Sequence, residues 1–192
     1  MNIEALAWPL ERLGEGLEVL ARRARLGANS GFNEGAPALP ASVQHGPAVE
    51  RARWVSWACA RLGVEAEAVD TAVPEIEALL RDGGPALLTL RLASGPHFVL
   101  LLGGRGLGPR TVRVMGADLR VRRCPIDSLR SAICAPFELP LIPEIDRLLE
   151  RAAVEPKRRA RVRTLMLAER LAGERIDGCW ILHQPQIGRA HV

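Results

Sequence analysis

The chain has 192 residues, of which 48% are hydrophobic and 25% charged, and it carries a formal net charge of +4. These values exclude intrinsic disorder and point to one globular unit, or one unit with an appendage, that can bury a real core. No apolar run approaches the roughly 20 residues that cross a bilayer, and no secretory h-region follows the N-terminus, so a soluble cytoplasmic polypeptide is expected.

The charge has an uninformative origin. Lysine occurs once, at Lys157, so arginine supplies nearly all the basic residues, and tyrosine is absent. That skew, with abundant Ala, Gly and Pro, fits GC-rich coding DNA, and a basic balance of that kind is weak evidence for a polyanion partner. No nucleic-acid partner is expected. The cysteines, Cys59, Cys124, Cys134 and Cys179, form no CxxC pair and no zinc spacing, so they read as buried small hydrophobes and no metal site is expected.

Taken in order, Ile3 to Leu26 has apolar residues at three- and four-residue steps (Leu6, Leu10, Leu13, Leu17, Leu20, Ala24), which predicts a long amphipathic helix. Pro9 places its regular start near that residue, and Gly27 is its expected cap. Residues 28–46 read as a long Gly/Pro-rich loop, and Pro47–Leu62 as a helix bearing Trp54 and Trp57. A short helix is predicted from Pro74 to Asp82. Ala86–Leu92 and His97–Leu102 are then buried strands around the break Ala93-Ser94-Gly95-Pro96.

The segment Gly103–Pro109 is a turn, followed by strands at Thr111–Met115 and Leu119–Cys124 and a helix at Pro125–Cys134. Its GGRGLG has a G-x-G pattern but leads into proline and a strand, not a phosphate-holding helix, so it reads as a hairpin loop. No G-K-[ST] motif is present. Helices first and an antiparallel meander afterwards predict an α+β fold. From Pro143 two helices follow, the second arginine-rich, with Val162, Leu165, Met166 and Ala172 as its apolar stripe. They read as a linker or docking element, and Gly178–Leu182 as a last apolar patch with nothing after it to pack against.

The final six residues, IGRAHV, translate a string that resembles a sequencing-library adapter. Residues 186–192 are therefore expected to be a non-native tail, with the natural chain continuing past Pro185.

His97 is the strongest single functional candidate: a titratable side chain opening a buried strand, readable either as a satisfied structural histidine or as a working group. The pattern around it, a turn, Pro-His-Phe-Val-Leu-Leu, a Gly-rich turn and Thr-Val-Arg-Val-Met-Gly-Ala-Asp, resembles the second half of the bacteriocin-processing, or double-glycine, cysteine peptidases. Those papain-like domains stand at the N-terminus of bacterial ABC exporters. The resemblance covers roughly the first 140 residues at the level of element order, including Trp54–Gly63, Val64–Val69 and Pro74–Arg81 before the strand Ala86–Leu92. It implies a papain-like domain over 1–140 and a helical linker over 141–185 leading into a membrane domain.

By that resemblance His97 matches the family's general base. The family's Asp-Pro falls on Gly116-Ala117, with Asp118 two residues on. The family's glutamine and nucleophilic cysteine are absent: Ala7-Trp8-Pro9-Leu10 stands where the first helix opens. The implied protein is thus a degenerate domain that binds or positions peptide or protein cargo at the cytoplasmic face of the bacterial inner membrane. His97, Phe98, Trp54 and Trp57 are candidate contacts, although burial is the better explanation for any one of the aromatics. ATP and Mg, and homodimerisation, are implied only for the full-length exporter; no cofactor is implied for this part. Two alternatives remain: an active thiol hydrolase using Cys59 with His97, and a free-standing adaptor or nucleic-acid-binding protein built on the arginine-rich helices.

Overall fold

The computed structural model describes residues 3–26, 37–103 and 110–185. The elements run β1 (Trp8–Pro9), α1 (Leu13–Arg23), α2 (Ala41–His45), α3 (Ala48–Arg61), β2 (Glu65–Ala72), α4 (Ile76–Asp82), β3 (Ala86–Leu92), β4 (Gly95–Leu101), β5 (Thr111–Met115), β6 (Val121–Pro125), α5 (Ile126–Glu138), α6 (Ile142–Arg151), α7 (Pro156–Arg170) and β7 (Arg175–His183). Among the described residues the sheet has seven strands in the order β2-β7-β3-β4-β5-β6, with β1 paired onto β4, and every pairing is antiparallel. The α+β expectation holds. Gly27, residues 28–36, residues 104–109 and the tail 186–192 lie outside the described residues.

Alternation along each strand feeds two cores. Phe98 and Leu100 of β4, with Leu87 and Trp180, face α1 and α3, meeting Leu13, Leu17, Val55 and Cys59. Val99 and Leu101, with Leu88, Leu90 and Val114, face α4 and α5, meeting Ile76, Leu80, Leu129 and Ile133. Because helices cover both faces, β3 and β4 read as continuous apolar runs rather than alternating ones. Fully burying one such Leu or Phe stabilises by about 1.5–3 kcal/mol.

Three expectations are corrected. The first helix does not run from Ile3: Pro9 is extended (φ −66°, ψ 145°), Trp8–Pro9 forms a short strand, a 3-10 turn covers Leu10–Arg12, and the α-helix begins at Leu13. The apolar spacing was right because both the turn and the helix bury that stripe. Second, residues 41–45 of the expected loop are helical.

Third, the apolar patch Gly178–Leu182 is no loose end. It belongs to β7, which inserts between β2 and β3, pairing Ala68 with Trp180 on one side and Leu87 with Trp180 on the other. The segment 141–185 therefore divides. Helices α6 and α7 form a hairpin with its own small core of Ile145, Leu149 and Leu167, while residues 175–183 are central to the main sheet. Of the expected α7 stripe, Val162 and Met166 pack against the small core of the hairpin beside Leu167, whereas Leu165 is 60% exposed and Ala172 is also exposed.

Smaller differences follow from proline and turn chemistry. The fifth helix continues through Pro136 to Glu138, since the Arg130–Glu138 ion pair (2.6 Å) and the Leu139 N–H bond to Ala135 hold its last turn. The strand expected from Leu119 begins at Val121, because Leu119 has φ +62° in the turn.

Candidate functional site

The corner around His97 is assembled by β1, α1, β4 and the β5–β6 turn. β1 pairs with the free edge of β4, so that Pro9 lies opposite His97 and Trp8 opposite Phe98. Proline suits this short edge because it has no N–H to donate. Trp8 is completely buried, stacks on Phe98 with centroids 5.8 Å apart, and donates its Nε1–H to the Met115 carbonyl at 2.8 Å. Arg12 lies over the Trp8 ring and donates to the Ala117 carbonyl at 3.0 Å while gripping Glu15. That ion pair holds the Glu15 carboxyl below its usual range. These contacts tie the opening of the first helix to the strand bearing His97 and to the turn bearing Asp118.

The chemistry at this corner is sparse. His97 is part-buried, with Nδ1 3.0 Å from the Gly95 carbonyl of its own strand. A carbonyl only accepts, so Nδ1 is the donor in this contact. Asp118 is not the partner of His97. It receives two bonds from Arg122, at 2.7 and 2.6 Å, and one from the Arg120 N–H. The pairing of β4 with β5 covers only Leu100–Met115 and Leu101–Val114, and the chain turns away at Gly116 before Asp118 can face His97. Arg122 pulls the Asp118 carboxyl well below the carboxylate range.

No thiol reaches the corner. Cys59 sits in the last turn of α3 with no exposed surface, and burial pushes its thiol up to about 12. Cys179 is likewise pushed up to about 12, and Cys124 and Cys134 to about 11. A nucleophilic cysteine needs the opposite: partial exposure and a lowered value. Among the described residues, no three His, Cys, Asp or Glu side chains converge as metal ligands would.

The aromatic candidates divide by burial. Phe98 has no exposed surface and Trp54 is 7% exposed, so both are core residues and neither can wall a surface groove. Trp57 is 49% exposed, tilted against Trp54 and covered on one side by Arg61. Trp8 and Arg12 are the residues that sequence reasoning missed. Their signal was the Trp-Pro pair, a poor helix interior and a good edge strand.

No protein-family model matches the chain, and no curated protein matches it. Among the described residues no helix is long and apolar enough to cross a membrane.

Proposed function

We propose that this chain is a peptidase-like domain of papain type that has lost its chemistry and binds or positions peptide or protein cargo, ahead of the membrane-spanning and ATP-hydrolysing parts of a bacterial ABC exporter. In that setting it stands at the cytoplasmic face of the inner membrane, the full-length protein is a homodimer, and ATP and Mg belong to the later domain. The observation that carries the reading is the corner itself. The opening of the first helix lies beside the strand of His97, as in the family the sequence resembles, yet Pro9 and Leu10 stand there and all four cysteines are buried. Without a nucleophile or an activated thiol, a lone imidazole cannot run acyl transfer.

The alternatives have less behind them. Cys59 is buried in the α1/α3 core, whereas His97 lies at the part-buried opening of β4. The arginines of α7 are partly consumed by ion pairs, Arg163 with Asp146 at 2.7 Å and Arg170 with Glu144 at 3.0 Å, which binds the hairpin together rather than presenting it to phosphates.

The test uses a fluorescein-labelled peptide with a double-glycine leader. Fluorescence anisotropy rising with protein, and an intact peptide by mass spectrometry after overnight incubation, is the expected result. Cleavage after the glycines that iodoacetamide blocks would establish the hydrolase instead, and no binding at any concentration would remove the cargo reading.

A further inference from the structure

The sheet ends in two edge strands of opposite charge. Along the path β2-β7-β3-β4-β5-β6, β2 stands at one end and β6 at the other, and among the described residues no further strand pairs with either. β2 carries Glu65, Glu67 and Asp70 and no basic residue. β6 carries Arg122 and Arg123, with exposed Arg120 just before it, and no acidic residue. Asp118 in the preceding turn offsets one of these arginines, and the edge stays basic. Both edges are open to solvent: Ala68 and Arg123 are exposed, and Val121 is 45% exposed.

The main chain of each edge is oriented by the ladder behind it. In an antiparallel pair, alternate residues turn both main-chain groups toward the same neighbour. Leu182 donates its N–H to the Pro85 carbonyl, so Leu182 and Trp180 address β3, while Ile181 and His183 address Glu67 and Glu65 of β2. Ala66 and Ala68 therefore turn outward. Gly116 donates to the Arg120 carbonyl at 3.0 Å, so Arg120, Arg122 and Cys124 address β5, and Val121 and Arg123 turn outward. The Asp70 carbonyl, at the irregularity between Val69 and Thr71, is taken by Arg175 at 3.0 Å, and the open stretch of β2 ends there.

Direction and facing also agree. Every pairing along the six-strand path is antiparallel, so a second copy displaced along the sheet presents its β2 antiparallel to β6. The outward residues of both edges lie on the face of α1 and α3: Ala66 and Ala68 oppose Leu182 and Trp180, and Val121 opposes Met115. The two sheets can thus continue one another with their helix layers matched. Pairing β6 with β6, or β2 with β2, would set like charges side by side, which destabilises cross-strand pairs. One sign of charge shields an edge from its like, but leaves it open to the edge of opposite sign.

We propose that β2 of one copy of this chain adds to β6 of another. Val121 opposes Ala68 and Arg123 opposes Ala66 as hydrogen-bonded pairs, and Arg122 faces Glu67 between them. The contact is heterologous, so it repeats as an open row or closes as a ring. It is separate from the two-fold contact of a homodimer.

The experiment is sedimentation velocity of the full chain up to about 1 mM, in about 50 mM and about 500 mM salt. At low salt the weight-average sedimentation coefficient should rise with concentration, and at high salt the association should weaken about tenfold. Ala68→Pro and Val121→Pro each remove an outward N–H and leave the ladder behind it intact. Each alone should be monomeric, and an equimolar mixture, with one live edge of each kind, should stop at the dimer. Circular dichroism checks that both fold. Where one does not, Glu67→Arg and Arg122→Glu replace them, each monomeric alone and associating as the parent chain does when mixed. A parent chain that stays monomeric at low salt would overturn the proposal. Dimers of Ala68→Pro alone would overturn it in favour of β6 against itself, and association untouched by either proline would place the contact away from the edges. Association that salt leaves unchanged would overturn the role of the opposite charges.

Discussion

Trp8 and Met115, 107 residues apart, are joined by a buried hydrogen bond of 2.8 Å from the indole N–H to the main-chain carbonyl. It pins the two-residue first strand to the sheet beyond β4, and with it the direction in which α1 leaves. Trp8→Phe keeps the stacking on Phe98 but removes the indole donor from that carbonyl and leaves a smaller ring in a fully buried site. The expected cost is about 1–3 kcal/mol, read as a lower urea midpoint with an unchanged slope. Trp57→Phe, at a half-exposed ring, should stay within about 0.5 kcal/mol of the parent chain. Equal losses at both positions would show that the buried bond contributes nothing specific.

The contact between α1 and β4 is equally close. A Cβ on Gly16 would lie 2.6 Å and 2.8 Å from two atoms of the Phe98 ring. Gly16→Ala gains helix propensity, about 1 kcal/mol in an exposed helix. Here overpacking wins, and a net loss of about 1–3 kcal/mol is expected. Combining it with Phe98→Leu should recover part of that loss, measured as a double-mutant cycle. A stabilised Gly16→Ala chain would mean that the helix can withdraw from the sheet.

All four thiols should be silent in the native state. With Cys59 and Cys179 pushed up to about 12 and Cys124 and Cys134 to about 11, thiolate is scarce at pH 8 and steric access is closed. Iodoacetamide at that pH should label none within an hour, and all four in urea, as counted by intact mass. Rapid native labelling of Cys59 that is lost in His97→Ala would revive the thiol hydrolase.

The sequence was legible where one physical pattern dominated. Apolar runs between turn residues identified β3 and β4 within a few residues, and the Gly-Ala-Asp turn located the β5–β6 hairpin. Trp8-Pro9 was hidden because Leu6, Leu10 and Leu13 keep a helical spacing whether the chain between them is strand, 3-10 turn or helix. β7 was hidden for a different reason: its partners Ala68 and Leu87 lie about a hundred residues upstream, and nothing local to Gly178–Leu182 names them. His97 was visible as a residue, but its isolation was not. That depends on where β5 turns, and on Arg122 taking the carboxylate of Asp118.

Asp118 supplies the pH-dependent prediction. Its carboxyl is lowered first by the side-chain bond from Arg122, then by the N–H of Arg120. A group whose value falls on folding stabilises the native state above its unfolded value, about 3.9 for aspartate. That contribution is lost as pH falls through the folded value. The stability difference between the parent chain and Asp118→Asn should therefore be flat from pH 8 to pH 5 and shrink below about pH 4. The pair is exposed at the surface, so 1 M salt should also reduce the difference at pH 7. Urea midpoints at pH 7, 5 and 3, with and without salt, make the comparison. A difference that persists undiminished at pH 3 would assign the effect to turn geometry and hydrogen bonds that asparagine fails to reproduce, rather than to the charge on Asp118.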